Sequence, residues 1–446
     1  MERVHLLSLG CPKNLVDSEL MLGTLTRAGF EVTLDPQRAD VLIVNTCAFI
    51  ESAKKESLDA ILDAASLKGR APGRRLVVAG CMAQRYGAEL KESLPEVDVF
   101  VGTGNFLDLP EILRRTEQPE LRPIPYAGAA HLLPDAAAPR VATGAPFSAY
   151  LKISEGCNHK CSFCIIPKIR DLHESRPPED LLVEAGRLVR GGVRELNLIA
   201  QDLTAYGRDL APQTSLAELL RSLNGIDGLQ WIRLLYCYPN FVSDHLLDAV
   251  AELPKVVKYI DMPLQHGDDS ILRAMRRERS ADALRRLIGR IRDRIPGVAL
   301  RTSFIVGFPG ETEAAFGKLK DFVRTEQFDR VGVFTYSREE NTSAYDMDEQ
   351  IPNKLKRERR CELMALQSEI SLQKNRDLVG RRMKVLIESE SPGRGRCKRG
   401  RLATQAPEID GAVFLSGEAD AGEIVEAHIT RALTYDLHAQ VVGELN

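Results

Sequence analysis

Residues 156–164 read Gly156-Cys157-Asn158-His159-Lys160-Cys161-Ser162-Phe163-Cys164 and set three thiols within one short loop. Thiolates are soft ligands that favour iron-sulfur clusters or zinc. A structural zinc site is normally closed by four ligands, often as pairs of Cys two to four residues apart, and no fourth ligand follows nearby in this chain. Three Cys suit a 4Fe-4S cluster with one iron left open, where a small molecule can bind and react. A zinc knuckle completed by His159 or by a distant residue is the other reading of the same loop.

The chain around this loop has 446 residues, 44% of them hydrophobic and 28% charged. That is the composition of a globular protein, and the length gives room for about two to four domains. Met1 to Leu9 is interrupted by Gly10-Cys11-Pro12 too early for a signal peptide. No run approaches the roughly 18 apolar residues of a membrane span, so no membrane is expected and the chain is placed in the cytoplasm. Nine Cys is an odd number and far below the density of a disulfide scaffold, which points to metal or catalytic use in a reducing compartment. Sixty Lys and Arg against 63 Asp and Glu give a net charge of -3. That balance excludes the broad positive field of a dedicated nucleic-acid binder.

Upstream of the loop, residues 1–115 alternate between strand and helix patterns. Val4 to Leu9, Asp40 to Cys47 and Leu76 to Cys81 have the length and β-branched content of buried strands, with helical patterns over Leu15 to Ala28 and Ala53 to Leu67. The alternation predicts a parallel α/β sheet. Cys11, Cys47 and Cys81 each fall just past a strand, one strand-helix unit apart. Parallel strands all run one way, so these three positions share the edge of the sheet where open α/β folds bind ligands. A single such Cys reads as a small buried residue at a Gly turn; three in one register read as a second site.

Residues 116–146 turn to Pro, Ala and Gly, including Pro119, Pro123, Pro125, Pro134, Pro139 and Pro146, and read as a linker. Residues 147–377 resume the alternation. Strands are expected over Ala149 to Ile153, Glu195 to Ala200, Trp231 to Tyr236, Lys258 to Met262, Leu300 to Val306 and Arg330 to Tyr336. Six units are too few for an eight-stranded barrel, and a partial (βα)6 barrel still has its site at the C-terminal strand ends. The Cys157 loop follows the first strand. Gln201-Asp202, Pro263 to His266 and Gly307 to Thr312 follow later ones, and the glycines of the last turn admit a ligand close to backbone. Arg170, Ser175 and Arg176 come soon after the loop and suit a carboxylate partner. His266 reads as a hydrogen-bonded structural His or as a general base. Nine Arg between Arg273 and Arg294 form a solvated helix face or a contact for ribosomal RNA.

After a polar helix over Lys354 to Asp377, residues 378–446 break into short β-rich segments over Met383 to Ile387, Ala412 to Leu415, Ile424 to Ile429 and Leu437 to Val442. They predict a small antiparallel barrel of the kind that grips RNA or protein. The stretch from Arg394 to Arg401 within it is locally basic.

Cys157-x3-Cys161-x2-Cys164, with Phe163 before the last Cys, resembles the signature loop of radical S-adenosylmethionine enzymes. The whole chain resembles the methylthiotransferases among them, with an N-terminal three-Cys domain, a radical S-adenosylmethionine domain and a C-terminal TRAM barrel. Ser8-Leu9-Gly10-Cys11-Pro12-Lys13-Asn14-Leu15-Val16-Asp17-Ser18, Gln201-Asp202-Leu203-Thr204-Ala205-Tyr206-Gly207 and Ala406-Pro407-Glu408-Ile409-Asp410-Gly411 look like the RimO-like group, which modifies an aspartate of protein twelve of the small ribosomal subunit. The MiaB-like group modifies a tRNA adenosine and tends to carry Gly-Cys-Gln-Met-Asn and Val-Asn-Ser-Tyr-Gly at the first two places.

The resemblance implies that Cys157, Cys161 and Cys164 hold a radical-generating 4Fe-4S cluster whose open iron binds S-adenosylmethionine. It implies that Cys11, Cys47 and Cys81 hold a second, auxiliary 4Fe-4S cluster that presents sulfur, and that a further S-adenosylmethionine supplies the methyl group. Phe163, Arg176, Gln201, Gln265, Arg301 and Gly307 are the candidate S-adenosylmethionine contacts. The implied partners are a small-subunit ribosomal protein or the ribosome and an electron donor such as flavodoxin or ferredoxin, with tRNA as the rival substrate. A non-enzymatic iron-sulfur electron carrier or scaffold is the reading from a different class.

Overall fold

A computed structural model describes residues 1–115, 133–390 and 397–442. The N-terminal strands are β1 (Arg3–Ser8), β2 (Glu31–Val32), β3 (Val41–Thr46), β4 (Arg75–Gly80) and β5 (Val99–Val101), with helices α1 (Pro12–Arg27), α2 (Glu51–Lys68), α3 (Cys81–Ser93) and α4 (Leu109–Arg115). They make one sheet in the order β2-β1-β3-β4-β5, and every pairing is parallel. All six residues of β3 are buried, as expected of a strand covered by helices on both faces. Helix α1 begins with Pro12, at the position where a missing N–H leaves no bond unmade. The edge strands β2 and β5 add to the three strands read from the sequence, where such short segments carry little periodicity.

The central strands are β6 (Ser148–Lys152), β9 (Glu195–Ile199), β10 (Trp231–Leu234), β11 (Val256–Asp261), β12 (Ala299–Val306) and β13 (Arg330–Thr335), while β7 (Ser154–Glu155) and β8 (Glu174–Ser175) pair separately. The six form a parallel sheet in the order β13-β12-β11-β10-β9-β6. This is the expected six-stranded partial barrel. Between and after them run α5 (Ile166–Arg170), α6 (Pro178–Arg190), α7 (Leu216–Asn224), α8 (Asp244–Glu252), α9 (Asp269–Ala274), α10 (Ala281–Arg294), α11 (Glu313–Glu326) and α12 (Asn353–Arg376). In α10, Ser280 accepts the Ala283 N–H as an N-cap, and Leu284, Leu287, Ile288 and Ile291 are buried along one stripe. The outward arginines pair with nearby acids: Arg285 with Asp282, and Arg294 with Asp244 and Asp248. The α10 part of the Arg-rich stretch is therefore an ion-paired helix face.

The C-terminal strands β14 (Arg382–Glu390), β15 (Cys397–Leu402), β16 (Val413–Ser416), β17 (Ile424–Ala432) and β18 (Leu437–Val441) close into a barrel in the order β14-β15-β16-β18-β17. The strand missing from the sequence reading is β15, which lies in the basic stretch; residues 394–396 of that stretch are outside the described residues. Arg401 is not an exposed basic residue. It is buried against Glu195 of β9 and lies 2.6 Å from Glu388. Alternation within a half-buried strand puts some of its cations inside, and a buried cation must find a carboxylate. The fold is thus α/β with a small β-barrel appended.

One apolar cluster joins Val16 and Leu20 of α1, Trp231 and Tyr259 of the central sheet, and Leu386 and Ala406 of the barrel. Each large side chain fully buried there contributes about 1.5–3 kcal/mol relative to exposure. Of the expected linker, residues 116–132 lie outside the described part. Residues 133–146 carry no helix or strand and pack between α1 and α6, with Arg140 2.6 Å from Glu19 and 2.8 Å from Glu184. No helix among the described residues is long and apolar enough to cross a membrane.

Candidate functional site

Strands β1, β3 and β4 are neighbours and end at Ser8, Thr46 and Gly80, so Cys11, Cys47 and Cys81 emerge at the same edge. Gly10 has φ +91°, and a Cβ there would lie 2.8 Å from Cys47 Cβ and 3.2 Å from its Sγ. Only glycine lets these two loops approach so closely. Asn14 ties all three together: its Nδ2 donates to the carbonyls of Leu9 and Thr46 at 3.0 and 2.8 Å, and its Oδ1 receives the Cys81 thiol at 3.6 Å. Cys11 caps α1 and Cys81 opens α3, so two helix N-termini bring positive potential to sulfur. Burial pushes the Cys47 thiol up to about 12, and the neighbouring Cys81 and Cys11 push the same way. Buried thiols that disfavour one another's ionisation are a donor set that a metal core, by its positive charge, satisfies.

The Cys157 loop leaves β7 through Gly156, whose φ is +75° and where a Cβ would run into the Leu172 carbonyl. Cys157 N–H donates to Asp171 O at 3.0 Å. Farther on, Ser162 N–H donates to Met275 O at 3.1 Å, Ser162 Oγ to Ala274 O at 2.7 Å, and Ala344 N–H to Ser162 O at 2.8 Å. The loop is held from three directions. Burial raises Cys157 to about 11 and Cys164 to about 12, with the Cys161 thiol adding to both. The Arg277 guanidinium lies 3.7 Å from Cys161 Sγ.

His159 is not placed as a fourth ligand. Its ring stacks on Tyr238 at 3.6 Å between centroids and its Nε2 lies 2.7 Å from Asp202 Oδ2. Among the described residues no three His, Cys, Asp or Glu side chains are gathered as a single metal ion requires. A four-iron cluster, with each thiolate on a different iron, takes a wider arrangement, and both sets of three Cys fit that donor chemistry.

Four of the candidate cofactor contacts lie around the C-terminal ends of the central strands. Phe163 packs with Phe308, Tyr336 and Met275. Gln201 donates to Glu155 Oε1, while its own Oε1 is buried with no partner in the protein. Gln265 has φ +75° and donates its N–H to Ser303 O at 2.9 Å. Gly307 has φ +71° and donates its N–H to Glu311 at 2.9 Å. Arg176 and Arg301 do not join them. Arg176 is buried against Asp180 and Glu184 at 2.6 Å each. Arg301 lies within β12 and pairs with Asp261 at 2.8 Å. A buried guanidinium must be compensated, and these two are compensated by the scaffold. His266 is buried between Glu311, 3.3 Å from its Nε2, and the Asp268 N–H, 3.0 Å from its Nδ1. It is a hydrogen-bonded residue of the scaffold.

A buried network that the sequence reading missed links the two sets of thiols. Lys152 Nζ lies 2.6 Å from Asp17 and 2.7 Å from Glu155. Arg170 Nη1 lies 2.7 Å from Asp17 and 3.2 Å from Glu155, and its Nη2 reaches Asn14 Oδ1 and, at 3.5 Å, Cys81 Sγ. Burial raises the Glu155 carboxyl, and Lys152 and Arg170 more than reverse this, holding it well below the usual carboxylate range. The signal was present in α1. Asn14, Asp17 and Ser18 sit three and four residues apart and so share one face, a polar stripe that is itself buried. Beside the loop, Asn158, His159, Lys160, Arg273, Arg276, Arg277 and Glu278 line an open cavity of about 550 Å³.

Three family descriptions match in order: the uncharacterized protein family UPF0004 over residues 3–102, the radical SAM superfamily over residues 151–323, and the TRAM domain over residues 379–442. The ribosomal protein uS12 methylthiotransferase RimO of Trichlorobacter lovleyi is 48% identical over 444 residues, 99% of this chain and 99% of its own. The protein of the same name from Geotalea uraniireducens is 50% identical over 444 residues, 99% of this chain and 98% of its own. Among solved structures, the radical S-adenosylmethionine methyltransferase TsrM of Kitasatospora setae, with cobalamin and a [4Fe-4S] cluster bound, shares the fold at a TM-score of 0.57 and 15% identity, covering 89% of this chain and 81% of that one.

Proposed function

Because the chain belongs to the ribosomal protein uS12 methylthiotransferase family, we propose that it transfers a methylthio group to the β carbon of an aspartate in that small-subunit protein, with S-adenosylmethionine and two 4Fe-4S clusters. An unactivated C–H bond is beyond acid-base catalysis, and when bound the radical cluster and S-adenosylmethionine supply the carbon radical that removes the hydrogen. Cys157, Cys161 and Cys164 would hold that cluster. Cys11, Cys47 and Cys81 would hold the auxiliary one.

The chain's own residues prepare the site. Gly156, Ser162 and the Asp171 carbonyl set the loop, while Glu155 orients Gln201 at the cofactor edge. Phe163, Gln201, Gln265 and Gly307 are the S-adenosylmethionine contacts of this reading, and the unpartnered Gln201 Oε1 has hydrogen-bonding capacity to give. The division 1–115, 147–377 and 378–446 assigns the auxiliary site, the radical site and the barrel to separate units. We further assign the protein to the cytoplasm, with a low-potential donor such as flavodoxin or ferredoxin as reductant.

The two-site chemistry is supported by the buried ionic network that joins the two three-thiol sites, and the protein substrate by the near-full-length likeness to the uS12 methylthiotransferases. Mass spectrometry of the ribosomal protein and of tRNA from a deletion strain tests it. The ribosomal protein should lose the methylthio mass and tRNA should keep its own; the reverse result overturns the assignment in favour of the tRNA enzymes.

A further inference from the structure

We propose that Arg170 is a positioning residue that couples the two cysteine sites, donating to the Cys81 sulfur of one while it is locked to Glu155, two residues ahead of Cys157, in the other. The inference rests on the two-cluster reading above.

The fork of the guanidinium makes this possible. One terminal nitrogen faces Asp17 at 2.7 Å and Glu155 at 3.2 Å; the other faces Asn14 Oδ1 and Cys81 Sγ at 3.5 Å. Through Asn14 the same group is connected to the Leu9 and Thr46 carbonyls, which precede Cys11 and Cys47. Arg170 thus reaches all three auxiliary loops, one of them directly. It also ends α5, which starts at Ile166, two residues past Cys164. One short helix thus joins the radical loop to the residue that touches the auxiliary site.

Two consequences follow from ordinary chemistry. Hydrogen bonds and positive charge at a ligating sulfur make a cluster easier to reduce. Asp17 and Glu155 are already matched by Lys152 and Arg170 in number, so a Cys81 thiolate is the additional anion that this guanidinium faces. Geometry matters as much as charge. Sulfur must meet a short-lived substrate radical in the gap between the sites, and a misplacement of about 1 Å is enough to cost about 100-fold in rate.

The experiment compares the full-length chain with Arg170→Gln and Arg170→Lys after anaerobic reconstitution. Readouts are iron per chain, the reduction potential of each cluster by electron paramagnetic resonance titration, and methylthiolated target peptide formed per 5'-deoxyadenosine released. Arg170→Gln should move the auxiliary cluster to a more negative potential and leave the radical cluster where it was. Arg170→Lys keeps the charge and loses the fork; it should keep the auxiliary potential near the wild-type value yet lower product per deoxyadenosine by about tenfold or more. An unmoved auxiliary potential in Arg170→Gln overturns the sulfur contact. A wild-type product ratio in Arg170→Lys overturns the coupling, and this arm decides the question if Arg170→Gln assembles no auxiliary cluster. Wild-type chain with about four rather than about eight iron instead overturns the two-cluster reading.

Discussion

The hydroxyl of Tyr259, in β11 of the central sheet, donates a 2.8 Å hydrogen bond to Asp410, a residue of the C-terminal barrel. The same carboxylate receives the Ala406 N–H at 2.8 Å, and its other oxygen stands 3.7 Å from Arg301. The Ala406 to Gly411 segment is therefore one peg by which the barrel is seated on the central sheet. Arg301, a candidate cofactor contact by sequence, is spent on this joint.

Tyr259→Phe removes one hydrogen bond and keeps the ring, so it should cost about 1 kcal/mol. Asp410→Ala strips the partner from Tyr259, the Ala406 N–H and Arg301 together and should cost about 3 kcal/mol or more. Calorimetric unfolding of the two variants checks the order, and equal losses would mean that Asp410 contributes only the tyrosine bond.

A second joint predicts a pH dependence. Glu195 is buried between Arg233, 3.0 Å away, and Arg401. Burial raises its carboxyl, and Arg401 and Arg233 override this and hold it at about 2, below the ordinary glutamate value of 4.5. A carboxylate with a depressed folded-state value stabilises fully above its unfolded value and loses that contribution as pH falls toward the folded one. Barrel docking should weaken between about pH 4.5 and 2 for this reason. Glu195→Gln should cost about 3–5 kcal/mol at neutral pH by leaving the buried Arg233 without its anion and Arg401 with Glu388 alone, and should flatten the acid limb of the unfolding curve.

Asp171 sits at φ 61° and ψ -165°, a conformation that suits glycine. Its carbonyl receives the Cys157 N–H, so this turn has to be kept for the loop's sake. Asp171→Gly should stabilise the chain by about 1 kcal/mol and leave S-adenosylmethionine cleavage intact. Chemical denaturation of the two proteins measures the gain, and a loss would show that the Asp171 side-chain bond to Leu172 N–H, 2.8 Å, outweighs the backbone strain.

Replacing Cys11, Cys47 and Cys81 together by Ala should lower the iron content from about eight to about four per chain. The variant should still cleave S-adenosylmethionine and should transfer no sulfur. Loss of cleavage with the radical cluster intact by spectroscopy would end the division of labour between the two sites.

Local periodicity determined most of the scaffold. Runs such as Val41 to Thr46 announce buried parallel strands, parallel strands end on one edge, and the common register of Cys11, Cys47 and Cys81 follows from that without any knowledge of the third dimension. The spacing of Cys157, Cys161 and Cys164 carried its own chemistry. Pairing among the charged residues was not legible. A buried charge has to be matched, but with 60 Lys and Arg and 63 Asp and Glu the chain offers too many partners for sequence to choose among them. Only packing decided that Arg301 goes to Asp261 and Asp410, that Arg401 of the basic stretch goes inward to Glu195, and that Arg170 meets Asp17, Glu155 and Cys81. Strand and helix periods are properties of neighbouring residues, whereas the partner of a buried ion is chosen by whichever distant segment shares its cavity.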